Sequence, residues 1–346
     1  MESLAKRLAV LLLVQLVARP ASAQSPAAPP VLAADHHVHI LGPGLLRDWK
    51  ALGVPFSRPD AAYLSAAGVF EGERPVAQAL LVPMAHFYGN AELRGGLSLS
   101  VEREHAGARA ENDYVAAEAR RWPGRAVALC SVDWRRPYAW QELRRCREEL
   151  KSPGIKLHLA SAAADLKDAA QRGELSRIAA WAERHGLAVL LHFDPQRRGL
   201  QVADVERFIA EVLAPYPRLE VVVAHLGGSG GYGAWTRSVL GAFTAWLRRE
   251  AAAGRGRPGV FFDLSAALLE KESEGVPATT EAEAKALGED LRRLGLARVL
   301  FGSDYPVFSP QRLAELLAER AGLAPAELAR VLANRAPVLA RAAPAR

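Results

Sequence analysis

The 346-residue sequence predicts an α/β fold, a (β/α)₈ TIM barrel, on three observations. Eight short runs are apolar on both faces, longer amphipathic stretches alternate with them, and neither a linker nor an internal repeat divides the chain. Strands buried on both faces and separated by helices build a parallel sheet from right-handed βαβ units. Eight such units over about 310 residues suit a closed barrel better than an open doubly wound sheet.

The predicted strands, in order, are Leu32–Ile40, Ala77–Pro83, Ala126–Val132, Gly154–Leu159, Leu187–Phe193, Leu219–His225, Gly259–Leu264 and Arg298–Gly302. Each is a brief apolar run bounded by polar or turn residues. The helical period appears over Asn112–Trp122, Trp140–Leu150, Glu174–His185, Val202–Leu213, Thr236–Glu250 and Thr280–Leu294. Gln311–Arg320 and Pro325–Ala340 close the chain as two further helices.

Composition narrows the function. Half the residues are hydrophobic and 24% are charged, the balance of a folded chain rather than a disordered one. The net charge of +6 comes from scattered arginines without a polybasic block, so nucleic acid is not an expected partner. With two cysteines, Cys130 and Cys146, neither a disulfide framework nor a cysteine-ligated zinc site is available. Both read as buried apolar thiols, with their pairing in an oxidising compartment left open, and any transition metal must use His and carboxylate.

Lys6-Arg7, the apolar run Leu8–Ala18 and Ala21-Ser22-Ala23 follow the order of a secretory signal, with cleavage expected after Ala23. The run falls short of the roughly 20 residues that span a bilayer, so no stable membrane insertion is expected once the signal is removed. Residues 24–30 read as a disordered lead-in, and residues 31–342 as one barrel domain of a secreted or periplasmic protein.

Active sites of such barrels form at the C-terminal strand ends. The polar residues there are His37 and His39, His86, Asp133, Lys156 and His158, His192 and Asp194, His225, Asp263, and Asp304, which include six of the nine histidines. In Asp35-His36-His37-Val38-His39, strand alternation puts His37 and His39 on one side and His36 and Val38 on the other. Two imidazoles can then reach one ion. His192 and His225 each end an apolar run, and Asp304 follows the last. Histidines and a carboxylate converging on the barrel axis suit Zn²⁺, with Mn²⁺ or Fe²⁺ behind it.

The order of HxH, His, His and Asp, with the phrases GIKLH, AHLGGSGG, FFDLSA and LFGSDYP, resembles the amidohydrolase superfamily and, within it, the amidohydrolase-related metal-dependent TIM-barrel branch. The resemblance covers nearly the whole mature chain. It implies that His37, His39, His192 and Asp304 hold one zinc ion and that His225 is a ligand or polarises the substrate carbonyl. An ion there would lower the pKa of a water toward neutrality, and Asp304 would take up its proton and pass it to the leaving group. Lys156 and His158, two apart and facing the same way, are assigned to substrate or to residues behind the ligands. A carbamylated Lys156 bridging two metals and a merely structural ion pair are the two lesser alternatives.

Asp263 and Ser265 would orient a ligand imidazole or cap a loop. Gly227–Gly231 lacks the ending of a phosphate loop and reads as backbone approaching metal or substrate. Asp133 reads as a strand-end cap, Arg135, Arg136, Arg197 and Arg198 as solvated loop charges, His185 as a helix C-terminal residue and His105 as a loop residue. Phe87, Tyr88, Trp134, Tyr138, Tyr232 and Trp235 lie in βα loops, where they either shape a pocket or pack the surface.

The expected activity is metal-dependent hydrolysis of a C–N or C–O bond in a small, carboxylated or cyclic substrate. Nonoxidative decarboxylation of an aromatic or unsaturated acid on the same site is the alternative. A catalytically inactive binding protein is the remaining one, and a homodimer is the general expectation for such barrels.

Overall fold

The computed structural model describes residues 32–56, 58–72, 75–193, 199–273 and 276–341. The signal and lead-in expectations, together with Asp194, Arg197 and Arg198, lie outside the described residues. Parallel strands run in the order β1 (Leu32–Val38), β2 (Val76–Leu81), β3 (Ala126–Ala128), β4 (Cys130–Ser131), β5 (Gly154–His158), β6 (Ala188–His192), β7 (Glu220–Val223), β8 (Val260–Asp263) and β9 (Val299–Leu300). β3 and β4 are two parts of one stave. Leu129 between them donates its N–H to Leu81 O at 2.9 Å and keeps the pairing with β2.

These are the eight predicted staves of a TIM barrel. The last is tied to the first by His36 N to Phe301 O at 2.9 Å, Asp304 N to His37 O at 2.8 Å and His39 N to Tyr305 O at 2.7 Å. Side-chain alternation sorts the walls into two layers. Leu80, Leu129, Ala188, Leu190, Val222 and Leu300 pack inside with Ala336, Val338 and Leu339 of the C-terminal segment. Ile155, Leu157, Val189, Leu191, Val221 and Phe262 pack outward against the helical layer. Ala336 N donates to His36 Nε2 at 3.0 Å, and Val338 N to Glu220 Oε1 at 2.8 Å, which hold that segment in place.

Several helices depart from expectation. The predicted Asn112–Trp122 is the second half of a helix spanning Val101–Arg120, so His105 lies on a helix rather than in a loop. That helix buries Glu104, Glu111, Asn112 and Glu118, and polar residues at buried positions hide the apolar period. Four short helices, Pro43–Ala51, Asp60–Leu64, Ala67–Phe70 and Ala91–Gly96, occupy stretches with no predicted element. Val202–Leu213 divides into an α-helix to Phe208 and a wide π turn from Ile209. Pro325–Ala340 breaks into Pro325–Ala333 and Pro337–Arg341, because proline has no N–H to continue the ladder. Asn334 Nδ2 holds the break by donating to Leu296 O and Val299 O, each at 2.7 Å.

Cys130 and Cys146 are not separate thiols. They form a disulfide that ties β4 to the helix Ala139–Glu148. His185 does end its helix, with Gly186 at φ 65 supplying the left-handed cap.

Candidate metal centre and active site

The first stave ends with two imidazoles facing inward, and their neighbours determine which nitrogen each presents. His39 Nδ1 lies 2.7 Å from Val82 O. His37 Nδ1 lies 3.0 Å from Asp263 Oδ2, and His225 Nδ1 lies 2.9 Å from Ser265 O. A carbonyl or carboxylate can only accept, so each Nδ1 carries the proton and each Nε2 presents a lone pair.

Those lone pairs converge. His37 Nε2 and His39 Nε2 are 3.1 Å apart, and Asp304 Oδ1 lies 3.6 Å from the first and 3.3 Å from the second. The nearest ligand atoms of His37, His225 and Asp304 all fall within 4.8 Å of one another. Three acceptors aimed at one point need a cation between them, so the donor set fits a divalent metal. Among the described residues the one other group this close is Cys130, Glu142 and Cys146, whose sulfurs are joined.

His225 thus belongs to the tight group. His192 stands at its edge, with Nδ1 3.1 Å from His225 Nε2. Its cross-strand partner is His158, and the two rings stack at 3.8 Å. His86 lies beyond, 4.8 Å from His158. All six histidines marked at the strand ends form one continuous series of ring contacts from His39 to His86.

The backbone at two of these residues is strained. His225 (φ 52) and Asp304 (φ 63) occupy the left-handed region that L-residues avoid. β7 ends at Val223, two residues before the predicted strand does, and the turn that follows aims His225 inward. A hydrogen bond from Asp304 N to His37 O at 2.8 Å holds the other turn.

Asp263 and Ser265 sit behind the ligands, as the strand-end reading anticipated. Asp263 Oδ1 accepts from His225 N at 2.9 Å and from the Ser265 hydroxyl, while Oδ2 holds His37. Burial alone would raise the Asp263 carboxyl, but His37 and His225 hold it well below the usual range. Asp304 behaves likewise, with burial outweighed by His39 and His37. Burial, reinforced by Lys156, pushes the His37 imidazolium down to about 3, which keeps the ring neutral and able to ligate.

Lys156 is fully buried in the barrel, its Nζ 3.4 Å from His37 Nε2. Burial lowers its ammonium to about 8 even though Asp263 and Asp304 favour the charged form. It faces the same way as His158, as spacing by two requires.

The glycine loop serves packing rather than the metal. A Cβ on Gly227 would lie 2.5 Å from Val239 Cγ1, and one on Gly228 would lie 2.3 Å from Thr236 Oγ1. Their backbone therefore approaches the helix Ala234–Ala252. Arg135 is exposed, as a loop charge would be, and bonds the carbonyls of Ala162 and Ala163, whereas Arg136 pairs with buried Glu104 and is not a solvated loop charge. Asp133 is a cap, accepting from Arg135 N. Of the six loop aromatics, Phe87 borders the histidine series, whereas Tyr88 bonds Asp48 and Tyr232 bonds Asp290. Sequence reasoning had no means of finding Val82, whose contribution is a backbone carbonyl.

A family model described as Amidohydrolase matches residues 34–336. The chain belongs to this amidohydrolase family. Among solved structures, the amidohydrolase is similar to 2,6-dihydroxybenzoate decarboxylase, at 14% identity and TM-score 0.59 over 90% of this chain and 99% of the other. It is also similar to a candidate 2-pyrone-4,6-dicarboxylic acid hydrolase from Pseudomonas putida, at 19% identity and TM-score 0.56 over 90% and 98%. A third is a dihydroxybenzoic acid decarboxylase from Polaromonas sp. JS666 with bound manganese, at 13% identity and TM-score 0.53 over 87% and 94%. At these identities the likeness concerns the fold. No curated protein matches the amidohydrolase sequence.

Proposed function

We propose that this amidohydrolase hydrolyses a C–N or C–O bond, amide or lactone/ester, of a small carboxylated or cyclic substrate, with one divalent ion, zinc, held among His37, His39, His192, His225 and Asp304. The observation that carries the reading is the 3.1 Å approach of the His37 and His39 Nε2 atoms beside Asp304, with both Nδ1 atoms already bonded. When bound, the ion supplies Lewis acidity and an activated water.

The remaining work falls to side chains. Asp304, kept ionised and partly open to solvent, accepts the proton of the attacking water and returns it to the leaving group. His225, its Nδ1 fixed by the Ser265 carbonyl, turns its Nε2 lone pair to the same centre as a ligand. Lys156 and His158 line the wall that meets the rest of the substrate, with Lys156 adding positive charge. A single ion, rather than a carbamate-bridged pair, is supported by the single focus of the ligand atoms. Export to an oxidising compartment is supported by the leader-like N-terminus and by the Cys130–Cys146 disulfide.

Decarboxylation is the second reading, favoured by the two decarboxylases among the similar structures. The metal-loaded protein should be assayed on lactones, amides and aromatic acids with product detection. Hydrolysis is expected. Release of CO₂ without hydrolysis moves the assignment to a lyase, and no turnover at full metal loading leaves a binding protein. Asp304→Asn should keep much of the metal and lose on the order of 10²–10⁴-fold in turnover. Near wild-type turnover at metal saturation removes Asp304 from proton transfer.

A further inference from the structure

His86 follows β2 in the turn Ala85–Gly89 and is almost wholly buried. It stands outside the tight ligand group, and the mechanism gives it no task. Its Nδ1 lies 2.7 Å from Ser131 Oγ, and that oxygen also accepts the His86 backbone N–H at 3.3 Å. With the backbone already donating, the Ser131 hydroxyl needs an acceptor for its own proton, and among the described residues it meets Nδ1. The neutral ring then carries its proton on Nε2. That atom is buried and has no partner among the described residues, so its proton is free for a water or a ligand acceptor.

His158 repeats the pattern on β5. The Ser161 N–H donates to its Nδ1 at 3.2 Å, so the proton of the neutral ring lies on Nε2. The two rings stand 4.8 Å apart. Phe87 lies against both, 4.6 Å from His86 and 5.9 Å from His158. A ring nitrogen that keeps its proton does not ligate a metal; it seeks an acceptor. Two such donors beside an aromatic face, joined to the metal group through His192, match a carboxylate attached to a planar ring.

We infer that His86 and His158 form a carboxylate-binding subsite that anchors the non-reacting end of the substrate, with Phe87 covering the adjoining ring. The inference rests on the proposed reaction centre at His37, His39 and Asp304. Ser131 is a positioning residue, since its hydroxyl sets which His86 nitrogen keeps the proton.

The test is calorimetric titration of benzoate and of neutral benzamide into the metal-loaded protein. H86F keeps a ring in the stack and removes the donor. It should weaken benzoate by about tenfold or more, as loss of a charged hydrogen bond does, and change benzamide by less than about twofold, with metal content unaltered. S131A should weaken benzoate in the same direction by a smaller factor, and it carries the test if H86F fails to fold. Failure of the wild-type protein to bind benzoate, unchanged affinity in both variants, or metal loss in proportion to benzoate loss would each overturn the subsite. Turnover on the lactone and amide panel is read separately. Benzoate binding that depends on His86 without hydrolysis keeps the subsite and drops the reaction, and hydrolysis with benzoate binding indifferent to His86 does the reverse.

Discussion

His37 and His39 point Nε2 atoms at each other across 3.1 Å while the Nδ1 atom of each is bound elsewhere. Two lone pairs at that distance repel unless a proton or a metal ion separates them. The strand therefore stores a preference for a cation in its side-chain spacing. His37→Ala or His39→Ala should lose metal and activity together, because each removes a ligand and leaves its partner with too few. Metal content after dialysis, measured beside turnover, checks this. Full occupancy in both variants would place the site elsewhere.

Asp263 holds His37 by Oδ2 and the His225 backbone by Oδ1. Asp263→Asn keeps the shape but offers an N–H where an acceptor is needed. Metal affinity should weaken by roughly 10–100-fold, the usual cost of losing a carboxylate behind a ligand histidine. Competition with a chelator reads this directly. An unchanged dissociation constant would mean that the Ser265 hydroxyl, 3.0 Å from His37 Nδ1, suffices.

Glu111 supplies a pH dependence away from the metal. Burial pushes its carboxyl up to about 8, against hydrogen bonds from the Gly42 and Met84 backbone. A carboxyl whose folded pKa is raised favours the protonated fold. Its contribution is complete below the unfolded value near 4.5 and declines as pH rises through about 8. Urea unfolding should show stability falling between pH 5 and 9 by on the order of a few kcal/mol. Glu111→Gln should flatten that slope, and an equal slope in the variant would assign it to other groups.

The disulfide closes a loop between residues 16 apart in sequence. Replacing both cysteines by serine, or reducing the bond, should lower unfolding stability by about 3 kcal/mol in the chain-entropy account. Denaturant unfolding with and without reductant measures it. Equal midpoints would mean that packing of β4 on its helix already restrains the unfolded chain.

Strand alternation made much of this protein legible. His37 and His39 had to face one way and Val38 another, and the structure puts the two imidazoles in the site and Val38 in the outer core. Apolar runs short enough to be strands marked all eight staves, and the polar residues at their ends marked the histidine series. Local spacing carries that information because a strand repeats every two residues.

Contacts between distant segments decided the rest. Whether Cys130 meets Cys146 depends on how the helix Ala139–Glu148 packs on β4, and the residues themselves read equally well as buried thiols. The buried acids of Val101–Arg120 concealed half a helix, because their partners lie on other elements, as Arg136 does for Glu104. His225 reaches the ligand group through a left-handed turn that the apolar run before it did not foretell. The tautomer that makes each imidazole a ligand or a donor is set by Val82, Asp263, Ser265, Ser131 and Ser161, four of them on staves or turns remote in sequence from the ring they hold. Sequence reports periodicity and residue type, whereas a proton's position on a ring depends on which acceptor the folded chain brings to about 3 Å from it.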